Sequence, residues 1–342
     1  MKYILILLTL MSISVSAQMD KYQLVLIAFY NAENLFDTSR DTLILDNART
    51  PGGRYQWTEE RYQKKLRNLA KVLANIGAAP YLRMPDIIGL AEIENRKVLE
   101  DLITTGSLQR YPLGILHINS PDERGIDTAI IYNRDTFIPV SVKAHPLRIY
   151  SEEGFRDYTR DLFLVSGYLK GELVYIMVNH WPSRGGGKRS VFNREIAARQ
   201  VKRKTDSILY RNSAAKIIIM GDFNDNPTDH SIKDIMKTSG NRQTISKGQL
   251  FNTTEKLYKS GLGTHAYRDE WNCFDQFMIS QGLLNNSKGY RYWRSGIFNP
   301  AFLRQKKGRY KGYPFRTYSG LNYTGGYSDH FPVYLYLIQQ IN

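Results

Sequence analysis

Two β-sheets packed face to face, with helices on their outer faces, are what this sequence predicts. Short apolar runs recur along the chain, and each ends in polar side chains. Amphipathic helical stretches are interspersed with them, in the order expected of layered α/β architecture. No low-complexity linker or short-period repeat divides the 342 residues, so one domain over 18–342 is expected.

The first strand is expected over 23–30, QLVLIAFY, with Asn31 at its carboxyl end. A loop rich in Asp, Arg, Thr and Gly covers 38–56. Thr58-Glu59-Glu60 opens a helix to about Ile76, with Leu66, Leu69, Val72 and Leu73 at helical spacing and Gly77 closing it. A short strand over Asp86–Leu90 runs into Glu92, and a helix through Leu102 follows. Further strands are expected at 126–133, 161–168 and 173–178, the last delivering Asn179 and His180. A basic helix spans Ser190–Tyr210. The apolar run Ile217–Met220 then stops at Gly221 and places Asp222, Asn224, Asp225 and Asn226 on the following loop. A short helix at 230–237 and strands at 274–279 and 332–338 complete the expectation.

Residues 1–17 read as a signal peptide. Lys2 supplies the positive start, Ile4–Met11 is almost wholly apolar, and Val15-Ser16-Ala17 resembles a cleavage site. Export to the periplasm or beyond is therefore expected, as a monomer. The single cysteine, Cys273, rules out an intramolecular disulfide and is expected as a small core hydrophobe. Without 1–17 the chain carries 46 basic against 32 acidic side chains, a net charge near +14. Such an excess favours a polyanionic partner: nucleic acid, an anionic membrane surface or an acidic polysaccharide.

The polar groups at strand ends form a set: Asn31, Glu92, His180, Asp222, Asn224, Asp275, Asp329 and His330. Burying an unpaired carboxylate is costly, and several brought together repel unless a cation joins them. Oxygen-rich sites of this kind suit Mg²⁺, Mn²⁺ or Ca²⁺ better than zinc. Taken singly, each of these residues is equally well read as an Asx turn or cap.

Eight segments, in order, carry a resemblance: FYNAENLF (29–36), GLAEIEN (89–95), RGIDTAIIY (124–132), TRDLFLVSG (159–167), VNHWPSRGGG (178–187), IIMGDFNDNP (218–227), FDQFMIS (274–280) and YSDHFPV (327–333). The chain resembles the endonuclease/exonuclease/phosphatase superfamily, and most closely its secreted bacterial predicted nucleases. The resemblance implies a DNase I-like, four-layer α/β sandwich and a divalent-metal-dependent phosphoric ester hydrolase. It implies Glu92 as the primary metal carboxylate, with Asn31 beside it on metal or phosphate and Asp329 as a further ligand. It implies Asp222 as the group that orients or deprotonates the attacking water, and Asn224 as a phosphate-positioning amide. Asp275 resembles the partner that fixes His330, His180 the second histidine of the DNase I-like branch, and Arg160 its phosphate-contacting arginine.

Arg184-Gly185-Gly186-Gly187-Lys188 does not match a Walker loop, but it is basic and precedes a helix, so Arg184 and Lys188 are candidate phosphate contacts. Lys288–Arg316 holds nine Lys/Arg, no acid and eight aromatic residues, a composition suited to ion pairing with phosphate and stacking on bases. No role is read for Asp127, while Glu33 and Glu94 read as ligands or as helix-start carboxylates. Nucleic acid is the expected substrate. A phosphatase or phospholipid phosphodiesterase of the same superfamily, and a catalytically idle polyanion-binding module, are the alternatives.

Overall fold

The computed structural model describes residues 21–77, 83–284 and 289–341, so the leader-like residues 1–17 lie outside them. Two large sheets form the centre. In the first, the strands run in the order Arg291–Ile297, Val333–Ile341, Lys21–Leu35, Ile87–Ile93, Asp127–Asn133, Leu113–His117. In the second, the order is Thr238–Ser239, Leu250–Asn252, Asp275–Ile279, Lys216–Asp222, Glu172–His180, Leu162–Leu169, Phe137–His145.

Strand alternation explains the layering. In the run Ile217–Met220, Ile218 and Met220 face the first sheet and join Val25, Ile27 and Phe29 from it and Ile176, Val178 and Phe277 from their own sheet in the layer between the two. Ile217 and Ile219 face outward, against Ala197, Ala198 and Val201 of the helix Gly187–Arg211. On the far side, Ala28, Tyr30, Ile88 and Leu90 pack against Leu66, Leu69 and Leu73 of the helix Glu59–Leu73, and Val98 and Leu99 of the helix Arg96–Ile103. A strand covered on both faces is apolar at every position, and that is why this one reads as a continuous run. The fold is the expected α/β sandwich of helix, sheet, sheet and helix.

Five sheet strands go beyond the expectation: Leu113–His117, Phe137–His145, Thr238–Ser239, Leu250–Asn252 and Arg291–Ile297. Phe137–His145 tolerates Pro139 because it is an edge strand, and beyond the buried Phe137 its positions are half-buried or exposed. Arg291–Ile297 pairs with Val333–Ile341, so the basic segment begins as sheet and not as a solvated loop. Lys288 lies outside the described residues. The short helix expected at 230–237 is a five-residue π-type turn, Ser231–Ile235, with the Met236 amide donating to the Ser231 carbonyl.

Candidate active site

The two central strands, Lys21–Leu35 and Lys216–Asp222, lie in different sheets and bring their polar ends together. Asn31 Nδ2 donates to Asp222 Oδ2 at 3.0 Å across 191 residues of sequence. The same nitrogen lies 3.4 Å from Glu92 Oε1. Glu92 is aimed there by a break in pairing: the parallel register holds as far as Asn31 opposite Ala91, then jumps to Leu35 opposite Ile93. Glu33, Asn34 and Glu92 all take positive φ, at 51°, 55° and 62°. Non-glycine residues resist that region, so strain is concentrated where the site is built. Ordinary alternation would bury the Glu92 side chain; the bulge releases it.

Asp222 is the hub. Its Oδ1 accepts the Asn224 amide at 3.0 Å, and Asn224 also holds a positive φ of 50°. Its Oδ2 lies 3.8 Å from His180 Nε2 and 3.7 Å from His330 Nε2. His180 Nε2 is also 3.9 Å from Glu92 Oε1. Behind His330, Asp275 Oδ2 pairs with Nδ1 at 2.6 Å. Ser328 sets this corner by donating to the Asn31 carbonyl and accepting from the His330 amide. Asp275 is fixed opposite Asp222 in the antiparallel ladder. Gly221 makes the junction possible, because a Cβ there would stand 2.3 Å from the Asn179 carbonyl oxygen.

Burial sets the proton affinities. It pushes the Asp222 carboxyl up to about 6, against the pull of His330. It drives His180 well below the usual histidine value, and the charges of Arg160 and Arg124 act in the same sense. His330 is also desolvated, but Asp275 and Asp222 outweigh burial and hold its affinity well above the usual value. The site thus holds one neutral and one charged imidazole beside the same carboxylate.

The geometry revises several expected roles. Asn31 turns its nitrogen toward the carboxylates, and its oxygen accepts the Glu33 amide at 2.9 Å. It orients Glu92 and Asp222 rather than presenting its oxygen as a ligand. Arg160 is buried, with Nη1 2.8 Å from Asp122 and the remaining nitrogens on the His180 and Trp181 carbonyls. Its cation is committed within the protein, supporting the His180 turn from below. Arg184 lies over the Phe274 ring at 4.7 Å at the rim of the site, where it donates to the Asn224 carbonyl and pairs with Asp229 at 2.5 Å and Asp225 at 3.4 Å. Lys188 is exposed in the first turn of its helix. Asn224 is brought in, with Nδ2 on the Trp181 carbonyl at 3.0 Å. Asp329 meets His330 and His265, with ligand atoms within 4.8 Å of one another.

His265 was not legible from its surroundings, Gly263-Thr264, which carry no strand pattern. It reaches the site through a bridge to His330 and stacks on Phe274 with centroids 5.4 Å apart. Burial and the neighbouring His330 lower it to about 4. Glu33 accepts the Thr317 amide and sits 3.6 Å from the buried Lys65, while Glu94, just before the N-cap Asn95 of the helix Arg96–Ile103, accepts from the Asp37 amide and the Asn95 side chain. Asp127 ties the Ser120 amide and hydroxyl to His117, a wholly structural post. Cys273 is buried with its thiol pushed up by desolvation, as a core residue should be.

The donor set suits a hard divalent cation. Among the described residues Asp222, Asp275 and His330 bring ligand atoms within 4.8 Å of one another, as do His265, Asp329 and His330, and Glu92 is a partly open carboxylate beside Asn31 and His180.

Residues 26–339 match the Endonuclease/Exonuclease/phosphatase family. The chain belongs to that family, whose members hydrolyse phosphoric esters. Among solved structures, an endonuclease/exonuclease/phosphatase family protein from Bacteroides thetaiotaomicron is similar at 19% identity and TM-score 0.56, covering 94% of this chain and 97% of that one. A mannosyl-6-phosphatase from the same organism is 20% identical with TM-score 0.54, over 92% and 99% of the two chains. D. rerio TDP2 complexed with a single strand DNA product is 15% identical with TM-score 0.54, over 92% and 98%. No curated protein matches the sequence.

Proposed function

We propose that this protein is an exported, divalent-metal-dependent phosphodiesterase acting on nucleic acid. The observation that carries the reading is the convergence of Asn31, His180 and His330 on Asp222, with Glu92 open beside them. Phosphodiester hydrolysis needs an in-line water, neutralised phosphoryl oxygens and help for the leaving oxygen. Asp222, with its affinity raised to about 6, is ionised at neutral pH yet basic enough to take a proton from that water. His330, kept charged by Asp275, is the donor toward a phosphoryl or leaving oxygen. Neutral His180 donates or accepts through Nε2 without adding charge. In this reading Asn224 and Arg184, at the rim beside Asp222, would give up internal partners to position a phosphate. A divalent cation held by Glu92, with Asp329 as a further ligand, would neutralise charge on the phosphoryl group.

Nucleic acid is favoured over a small ester by the net positive charge and by aromatic, arginine-lined surface beside the site. One similar fold, TDP2, was captured with a single strand DNA product, and another is a mannosyl-6-phosphatase; both support phosphoric ester chemistry without choosing the ester. Export rests on the leader-like residues 1–17.

The test is release of acid-soluble nucleotides from DNA and RNA with Mg²⁺, with EDTA and with Asp222→Ala. Release that needs Mg²⁺ and Asp222 is expected. Inert nucleic acids together with turnover of sphingomyelin or mannose 6-phosphate would sink the nuclease reading.

A further inference from the structure

Beside His265 the chain encloses a cavity of about 450 Å³, between the hairpin His265–Tyr267/Glu270–Asn272 and the segment 305–316. Its walls include Tyr267, Arg268, Arg309, Tyr310, Tyr313 and Arg316, and no Asp or Glu lines it among the described residues. The size is that of a small-ligand site, for which about 300–1,000 Å³ is usual.

The cavity is built and not a chance gap. At the hairpin tip Arg268 and Asp269 both take positive φ, 51° and 65°, as a two-residue turn demands but without the usual glycine or asparagine. Asp269 accepts the Tyr313 hydroxyl at 2.6 Å and stands 3.8 Å from Arg309, fixing the opposite wall. Trp271 packs on Tyr313 at 5.6 Å and on Phe331 at 6.0 Å, the residue next to His330. The Arg268 guanidinium lies 5.2 Å from the Tyr267 ring centroid, and that of Arg309 lies 5.8 Å from the Tyr310 centroid. Tyr267 and Tyr310 are half exposed, and Tyr310 also meets Tyr313 with centroids 5.5 Å apart, so the rings form a partly open aromatic wall. One end of the hairpin touches the catalytic imidazole and the other carries the aromatic wall. The field of Arg316 reaches both His265 and Asp329.

We infer that this cavity is a nucleotide subsite, in which the tyrosines stack a base next to the scissile phosphodiester and the arginines hold the adjoining phosphate. It rests on the phosphodiesterase reading and names the unit that the enzyme takes beside the bond it breaks. Ring faces recognise a base, and guanidinium groups a phosphate, through π-stacking and paired hydrogen bonds. A phosphosugar would use the arginines alone and leave the rings bare.

The test is calorimetry in EDTA with AMP, adenosine and ribose 5-phosphate as probes, on the full protein and on Tyr310→Ala and Arg309→Ala. AMP is expected to bind at least about tenfold tighter than either fragment, and Tyr310→Ala to weaken it by about tenfold or more. Arg309→Ala is expected to weaken AMP and ribose 5-phosphate alike. Near-ultraviolet circular dichroism verifies that both variants keep the fold. Ribose 5-phosphate binding as tightly as AMP, or AMP binding indifferent to Tyr310→Ala, overturns the subsite. Hydrolysis of bis(p-nitrophenyl) phosphate with Mg²⁺ tests the phosphodiesterase reading separately. Turnover without Tyr310-dependent AMP binding removes only the subsite; Tyr310-dependent binding without turnover removes only the hydrolytic reading.

Discussion

Asp275 Oδ2 stands 2.6 Å from His330 Nδ1, while the far nitrogen of the same ring stands 3.7 Å from Asp222 Oδ2. One carboxylate accepts from Nδ1 and fixes the ring while the other faces Nε2, so the imidazole is both oriented and held charged. Asp275→Asn keeps the shape and removes the charge. The expected result is a fall in kcat of about 10²- to 10⁴-fold, with the alkaline limb of the pH–rate profile moved to lower pH. A variant with unchanged kcat and profile would show that the pair is structural only.

Asn31 joins Glu92 and Asp222 through one amide nitrogen. In the proposed metal-dependent reading it would act on the cation through the carboxylates it orients. Asn31→Ala is therefore expected to weaken Mg²⁺ binding by about 10- to 100-fold while the fold persists. Isothermal titration with Mg²⁺ measures this. Unaltered affinity would mean that Glu92 holds its orientation unaided.

Gly221 has no room for a side chain, because a Cβ would meet the Asn179 backbone at 2.3 Å. The strand carrying His180 would have to move away from the one carrying Asp222. Gly221→Ala is expected to cost about 1–3 kcal/mol of stability by overpacking. It should lower kcat as well, since the two residues it separates share a site. Urea denaturation and steady-state kinetics give the two numbers, and a variant of unaltered stability would show that the strands accommodate the added methyl without moving.

How much of this was legible in the sequence follows from where each residue sits. The buried central strand is apolar at every position because both of its faces are covered, and its polar end therefore stands out sharply. Asp222 and His180 close such apolar strands, Glu92 lies near the end of one, and Asp275 and His330 stand at or before the start of others, which is what makes the five conspicuous in the sequence. His265 and the cavity beside it were not, because a three-residue strand bounded by turns gives no period to read. Asn31's orientation depends on which end of its amide Glu33 occupies, a fact of hydrogen bonding and not of spacing. Arg160 sat in a matching segment, yet its environment is set by Asp122, which lies in a turn 38 residues earlier.

That arginine yields a prediction of its own. Arg160 and Asp122 are both buried and 2.8 Å apart, so losing one strands the charge of the other. Arg160→Ala is expected to cost about 3–5 kcal/mol of stability. The double variant with Asp122→Ala should recover part of that loss, because the stranded carboxylate is gone. Chemical denaturation of the three proteins decides it. A variant of native stability whose only defect is a raised KM would return Arg160 to phosphate binding.

His180 and His330 are displaced in opposite directions, and stability must follow with opposite signs. The folded His180 binds its proton less readily than an unfolded histidine, near about 6.5. Its contribution is present above that value and is lost as pH falls below it, since unfolding then takes up a proton. The folded His330 binds its proton more readily. Its contribution is full below about 6.5 and is lost as pH rises through the raised folded value. The difference curves carry the test, because other groups, Asp222 among them, titrate in the same range. In EDTA, the stability of His180→Gln relative to the unsubstituted protein should improve steadily toward acid pH. That of His330→Gln should improve toward alkaline pH instead. Parallel, pH-independent differences in urea denaturation would show that neither imidazole holds the charge state assigned to it.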